Sequence, residues 1–222
     1  MGAPVMMFVF DFDGVLADSS ALCLDLLRRV SKDVAMPQPV PDDLWDRLDD
    51  VSFPAIVQYL GIPADRVADY VRRIFGGMTA EAYRPALFAG IDAVLPALAD
   101  EGHVAILSAS PAAVIEAALE RAGLAATVGA ICDGRDPRSK AAKLPTLLAR
   151  FGASPSRTVM IGDAVSDVRA GRANGMRTAA VTWGWQSSEV LAAAQPDWLF
   201  TRVDALLPLP ARLRSLQGGR SP

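Results

Sequence analysis

Residues 5–16 read VMMFVFDFDGVL: six apolar residues, then Asp11, Phe12, Asp13 and a glycine. A short apolar run of β-forming residues closed by a turn signal predicts a buried strand whose end carries two carboxylates. Three distant stretches likewise set a polar or charged residue after an apolar run. They are VAILSAS (104–110) with Ser108, DPRSKAAKL (136–144) with Lys140, and TVMIGDAVSD (158–167) with Asp163 and Asp167. Ligands of open α/β sheets bind beyond the carboxyl ends of the strands, so parallel pairing would bring all four pieces to one rim. That rim would carry an acidic metal site, a hydroxyl and a cation, which is equipment for phosphoryl transfer.

The rest of the chain supports parallel pairing. Apolar β-type runs at Val5–Phe10, Val104–Leu107, Val128–Cys132, Thr158–Ile161 and Thr178–Thr182 alternate with helical spacing at Ile91–Asp100, Pro111–Ala122, Ala141–Phe151 and Val165–Asn174. Such alternation predicts βαβ units: an α/β fold with a parallel sheet and helices on both faces. From Leu16 to Pro85 the rhythm changes. No comparable β run occurs there, and amphipathic stretches at Leu22–Val30, Leu44–Leu48, Ile56–Leu60 and Val67–Phe75 are punctuated by PQPVPDD, GIP and FGG. The expected division is a core of residues 1–15 and 86–216, a helical insertion of residues 16–85 able to act as a lid over the rim, and a frayed tail of residues 217–222.

Composition narrows the function. With 222 residues and 51% hydrophobic side chains the chain can bury a substantial core, and a net charge of -3 argues against nucleic acid polymers or an anionic membrane surface as partners. The apolar start is too short for a membrane span and lacks a charged leader or cleavage signal, so a cytoplasmic location is expected. Cys23 and Cys132 are too few and too separated for a disulfide framework and read as buried thiols. The only histidine, His103, reads as a surface-turn residue, because no nucleophile motif accompanies it.

Each candidate has a chemical reason. Asp11 and Asp13 can converge on one site if the chain stays extended through Phe12, and Gly14 permits a tight turn and close backbone approach to an anion. Asp163 and Asp167, four apart at a helix start, would share a helical face and repel each other unless a cation lies between them. Ser110 reads as the N-cap of the helix after Pro111, which leaves Ser108 and neighbouring backbone N–H groups for an anionic oxygen. Of 22 basic residues only Lys32, Lys140 and Lys143 are lysine. A compact ammonium suits a point contact to phosphate and carboxylate, so Lys140 is assigned that role, with Lys143 the second choice or else a solvated helix-start charge. Arg72, Arg73 and Arg84 in the insertion read as solvated charges, and Trp183 and Trp185 as packing the sheet edge or an interface.

As a set, DFDGVLADS from Asp11, the serine of ILSAS, the lysine of SKAAKL and GDAVSD from Gly162 resemble the haloacid dehalogenase-like hydrolase superfamily. AVTWGW (180–185) is similar to its phosphoglycolate phosphatase-like branch. The resemblance implies a Rossmann-like core with a small α-helical cap, and a hydrolase acting on phosphoric monoesters of small phosphorylated metabolites, as a monomer or homodimer. It implies Asp11 as the nucleophile, forming an aspartyl-phosphate, and Asp13 as the acid and base. Mg²⁺ would be held by Asp11, the Asp13 carbonyl, Asp163 and Asp167. Phosphate would be bound by Asp11, Gly14, Ser108, Ala109 and Lys140. Val15, Ala164 and SKAAKLP depart from that branch and leave the substrate open. Two other readings share the scaffold: a sugar-phosphate mutase of the β-phosphoglucomutase type, against which Gly162 and Asp167 argue, and a catalytically silent phosphate-binding domain.

Overall fold

The computed structural model describes residues 5–34, 39–136 and 138–218. Six parallel strands form its main sheet: β1 (Met7–Phe10), β4 (His103–Leu107), β5 (Ala130–Cys132), β6 (Thr158–Gly162), β7 (Arg177–Val181) and β8 (Trp198–Phe200), in the spatial order β5-β4-β1-β6-β7-β8. After β1 the chain builds outward through β4 and β5, then returns to build the other half from β6. The topological switch point therefore lies between β1 and β6, and a crevice forms beyond their carboxyl ends.

Alternation along the central strands explains why both faces need helices. Phe8, Phe10, Val104, Ile106, Val159 and Ile161 enter one apolar cluster, with α4 (Ile91–Ala99), α5 (Ala112–Arg121) and α9 (Leu209–Gly218) contributing to it. Met7, Val9, Ala105, Leu107 and Met160 enter another on the opposite side, closed by α6 (Lys140–Phe151) and α7 (Val165–Ala173). Strands buried on both faces read as unbroken apolar runs, which is how they appear in the sequence.

Residues between β1 and α4 form α1 (Ser20–Asp33), α2 (Phe53–Tyr59) and α3 (Val67–Met78), with a 3₁₀ turn at Leu44–Arg47. The Leu44–Leu48 stretch thus makes a tight turn instead of an α-helix. Helices α1 and α3 bury Cys23, Leu26, Leu27, Tyr70, Ile74 and Met78. A two-stranded antiparallel ribbon, β2 (Ala17–Asp18) with β3 (Ala86–Leu87), ties both ends of this segment together. The expectation of no strand before Pro85 misses β2, whose two residues are too short for a periodic signal.

Other departures are local. His103 opens β4 instead of sitting in a turn, half-buried with its ring 4.7 Å from that of Phe151. Cys23 is buried as expected, whereas Cys132 is only half-buried. Helix α9 reaches Gly218, into the stretch expected to fray; residues 219–222 lie outside the described residues, as do 35–38 at the PQPVPDD punctuation. No helix among the described residues is long and apolar enough to cross a membrane.

Candidate active site

Strand pairing assembles the site. Phe10 is in register with Ile106 on one side and Ile161 on the other, and the Asp11 N–H still donates to the Ile161 carbonyl at 2.8 Å. Just beyond that register, Asp11 one residue on and Ser108 and Asp163 two residues on leave the same edge of the sheet. Oxygens of Asp11, Asp163 and Asp167 all lie within 4.8 Å of one another, and each residue is buried. Asp163 is not on the helix: Ala164 is the N-cap of α7, and only Asp167, its third residue, is helical. Asp167 Oδ2 accepts from the Ala164 N–H at 3.3 Å, while Asp163 Oδ2 accepts from the Trp185 N–H at 2.7 Å.

Two glycines make room for this packing. A Cβ on Gly14 (φ +72°) would stand 1.9 Å from Asp163 Oδ2, and one on Gly184 would stand 2.4 Å from the same atom. Any side chain at either position would displace a cluster carboxylate.

Lys140, the first residue of α6, donates to Asp11 Oδ2 at 2.5 Å and to Asp167 Oδ1 at 2.6 Å. Burial alone would lower its pKa, but the two carboxylates outweigh burial and raise it, so the ammonium is held charged. One cation does not balance the acids. Burial pushes Asp163 well above the usual carboxylate range, with Asp11 and Asp167 adding to the effect. Asp167 is pushed up to about 6 by burial and Asp11, against the opposing pull of Lys140. An all-oxygen donor set this close, starved of positive charge, matches the chemistry of a small hard divalent cation. Lys143 takes no part: it is buried, not solvated, and its Nζ donates to the Asp133 carbonyl at 2.9 Å.

Asp13 has different partners. Its Oδ2 accepts from Ser110 Oγ at 2.5 Å and Ser108 Oγ at 3.3 Å, while Oδ1 is buried without a hydrogen-bond partner among the described residues. Burial first, and the Asp11 charge second, raise its pKa against the hydroxyls that lower it. Ser110 is therefore not a helix cap. Pro111 is the N-cap of α5, and the N–H of Ala112 is satisfied by Asp133 Oδ2 at 3.1 Å. A proline N-cap offers no side-chain acceptor, so a residue from beyond β5 supplies it.

The acidic cluster opens into a cavity of about 40 Å³ that Asp11, Asp13, Ser108, Ala109, Lys140 and Asp163 border from the sheet side. Residues from α1 to α3 form its other wall, together with Trp185. The Trp185 ring stacks on that of Trp45 at 4.1 Å, placing it in the site instead of at a sheet edge; Trp183 Nε1 donates to the Val15 carbonyl at 3.1 Å. Next to Trp185, Gln186 is 1% exposed. Its Oε1 accepts from the Val165 N–H at 2.7 Å, and its Nε2 donates to the carbonyls of Trp45 at 2.9 Å and Leu48 at 2.8 Å. Helix α7, which carries Asp167, is thereby tied to the 3₁₀ turn of the insertion. The sequence gives no sign of Trp185 or Gln186 in these roles, since each acts through backbone groups brought together only by the fold.

His103, at the amino end of β4, stands at the opposite end of its strand from Ser108. Arg72 and Arg73 pair with Asp69, and Arg84 with Glu81, all at the surface, as solvated charges would.

The family model described as haloacid dehalogenase-like hydrolase matches residues 8–181. A phosphoglycolate phosphatase of Synechococcus elongatus is 31% identical over 206 residues, spanning 92% of this chain and 97% of that protein. A pyrophosphatase, PpaX, of Bacillus velezensis is 33% identical over 81 residues, 36% of this chain and 38% of that protein. Among solved structures, a haloacid dehalogenase-like family hydrolase from Streptococcus pneumoniae superposes with a TM-score of 0.76 at 18% identity, covering 96% of this chain and 98% of that one.

Proposed function

This chain belongs to the haloacid dehalogenase-like hydrolases, and on that premise we propose that it hydrolyses a small phosphomonoester through a phosphorylated Asp11, with Mg²⁺ as cofactor. The single observation that supports this best is the convergence of Asp11, Asp163 and Asp167 within 4.8 Å beside Lys140. Its relatives include a phosphoglycolate phosphatase and a pyrophosphatase, whose names share phosphoric ester or anhydride cleavage. Mg²⁺-dependent phosphate release from p-nitrophenyl phosphate tests it; silence toward a broad phosphomonoester panel, or net isomerisation of glucose phosphates without phosphate release, would contradict it.

Each residue has a part. Asp11 Oδ1 already accepts from the Phe12 N–H at 2.6 Å, while Oδ2 faces Lys140, so its carboxylate is held in one orientation for attack on phosphorus. Both serine hydroxyls donate to Asp13 Oδ2, which supports Oδ1 as the oxygen that carries the proton of a neutral Asp13. From there it protonates the departing oxygen, and the resulting carboxylate then takes a proton from the water that cleaves the aspartyl-phosphate. Lys140 and the backbone at Gly14 and Ala109 hold the phosphoryl oxygens, and Ser108 joins them when its hydroxyl turns from its long 3.3 Å bond to Asp13, which Ser110 keeps at 2.5 Å. Asp11, the Asp13 carbonyl, Asp163 and Asp167 would hold Mg²⁺, which supplies charge neutralisation at the transferring group.

Metal removal should be legible in stability. Carboxylates with a raised folded-state pKa favour folding fully below their unfolded value of about 4, and that contribution is lost as pH rises through the folded value, about 6 for Asp167. The rise in melting temperature on replacing EDTA by Mg²⁺ is therefore expected to be larger at pH 8 than at pH 5. An equal rise at both pH values would mean that the cation does not relieve this repulsion.

A cavity of about 40 Å³ holds only a few waters, which supports a lid role for residues 16–85, swinging outward about the β2–β3 ribbon to admit substrate. Among the bonds that must break are those of Gln186 to the Trp45 and Leu48 carbonyls, beside those of the Ser187 N–H to Asp46 Oδ1 at 2.7 Å and of Arg169 to the Asp49 carbonyl at 3.3 Å. Gln186→Glu keeps an acceptor for Val165 but faces two carbonyls with an anion instead of a donor. Two hydrogen bonds at about 1 kcal/mol each predict a shift of at least about tenfold from the closed toward the open form, read as a changed KM and a diminished near-ultraviolet dichroism of the Trp45–Trp185 stack. Unchanged KM and unchanged dichroism would remove Gln186 from lid closure.

A further inference from the structure

Resting on the phosphatase reading, we infer that the ester this chain hydrolyses carries a small, uncharged and largely apolar alcohol, not one bearing a carboxylate or a second phosphoryl group. The wall that meets the leaving group consists of Cys23, Val51, Phe53, Ile56, Met78 and the ring of Trp185. None of these carries a charge: the Cys23 thiol is buried, and its pKa is pushed well up by that burial. The ring of Phe53 is backed by that of Phe75 at 5.1 Å, and Trp185 by Trp45, so the wall is uncharged to a second layer, its one polar feature among the described residues besides the Cys23 thiol being the buried Trp185 Nε1, which has no partner.

Residues 16–85 carry eight lysines and arginines, and none of them borders the cavity. Arg72 and Arg73 are committed to Asp69 at the surface, and Arg84 to Glu81. The one cation on the cavity among the described residues, Lys140, stands at the phosphoryl end and is already bonded to Asp11 and Asp167. A carboxylate on the alcohol would lose its water against this wall with no cation to replace it, and would face Asp13 and Asp163 besides. An alkyl group on the same atoms displaces water favourably. Hydroxyl partners are equally scarce: Ser108 and Ser110, the only hydroxyl side chains on the cavity among the described residues, both donate to Asp13.

Isosteres separate charge from size. Initial rates with Mg²⁺ would be compared for propyl phosphate, p-nitrophenyl phosphate, 2-phosphoglycolate, the neutral amide of 2-phosphoglycolate, and pyrophosphate. The amide and propyl phosphate are expected to exceed 2-phosphoglycolate in kcat/KM by at least about tenfold, chiefly through KM. Val51→Lys, at a half-buried position that lets an ammonium reach the wall, should narrow that ratio. A native preference for 2-phosphoglycolate or pyrophosphate, or a ratio that Val51→Lys leaves untouched, overturns the inference while the phosphatase reading stands. Turnover of none of the five, p-nitrophenyl phosphate included, overturns both.

Discussion

Asp11→Asn is expected to reduce phosphate release from p-nitrophenyl phosphate by at least about 10⁴-fold, because an amide is a poor nucleophile and no other carboxylate occupies its place. Asn retains an oxygen for the Phe12 N–H, so the loop after β1 keeps its shape. The substitution also removes one charge from a buried acidic cluster, which should leave the fold intact or stabilise it in EDTA. The far-ultraviolet spectrum and melting curve therefore serve as the control. A variant that keeps most of the activity would mean that Asp11 organises the site without reacting.

Asp13→Asn should act in a different way. General acid–base catalysis contributes about 10² to 10⁴-fold, and the two half-reactions use it unequally here. Nitrophenolate departs without help, so the first half-reaction with p-nitrophenyl phosphate should survive. Breakdown of the aspartyl-phosphate needs a base, and an amide is not one. The expected signature is a burst of nitrophenolate close to one per enzyme, then a steady state slowed by about 10² to 10⁴-fold. Alkyl phosphates should show no burst, since their alkoxides leave only when protonated. Serine hydroxyls at 2.5 and 3.3 Å hold the side chain, so Asn can occupy the same position. Equal loss on both substrate types with no burst would place Asp13 in binding, not proton transfer.

Legibility in the sequence followed how local each signal was. Strands β1, β4, β6 and β7 were readable because burial on both faces demands continuous apolar runs, and a βαβ succession leaves few topologies. The acids at their ends followed, since a parallel register carries Asp11, Ser108 and Asp163 to one rim whatever the loop details. Three-residue β5 was readable because its apolar run extends back to Val128, whereas β8, Trp198–Phe200, and the two-residue strands of the β2–β3 ribbon have no such extension. Ser110 was misplaced for an instructive reason. Ser-Pro before a helix satisfies the local capping rule, but the Asp133 carboxylate satisfies that helix end from across the sheet and releases the serine to Asp13. Lys143 looked like a surface charge and is buried against a carbonyl. Trp185 and Gln186 belong to the site through a main-chain N–H and an amide clasped between three backbone groups, contacts that no spacing in the sequence encodes.

The most direct test is to find the phosphoryl group. Asp13→Asn, incubated with Mg²⁺ and p-nitrophenyl phosphate and quenched in acid during the slow phase, would be digested and mapped by mass spectrometry. Phosphorylation on the peptide containing Asp11, and its disappearance in the Asp11→Asn, Asp13→Asn double variant, is the expected result. An unmodified Asp11 peptide in enzyme that is still releasing phosphate would mean direct attack by water and would contradict covalent catalysis here.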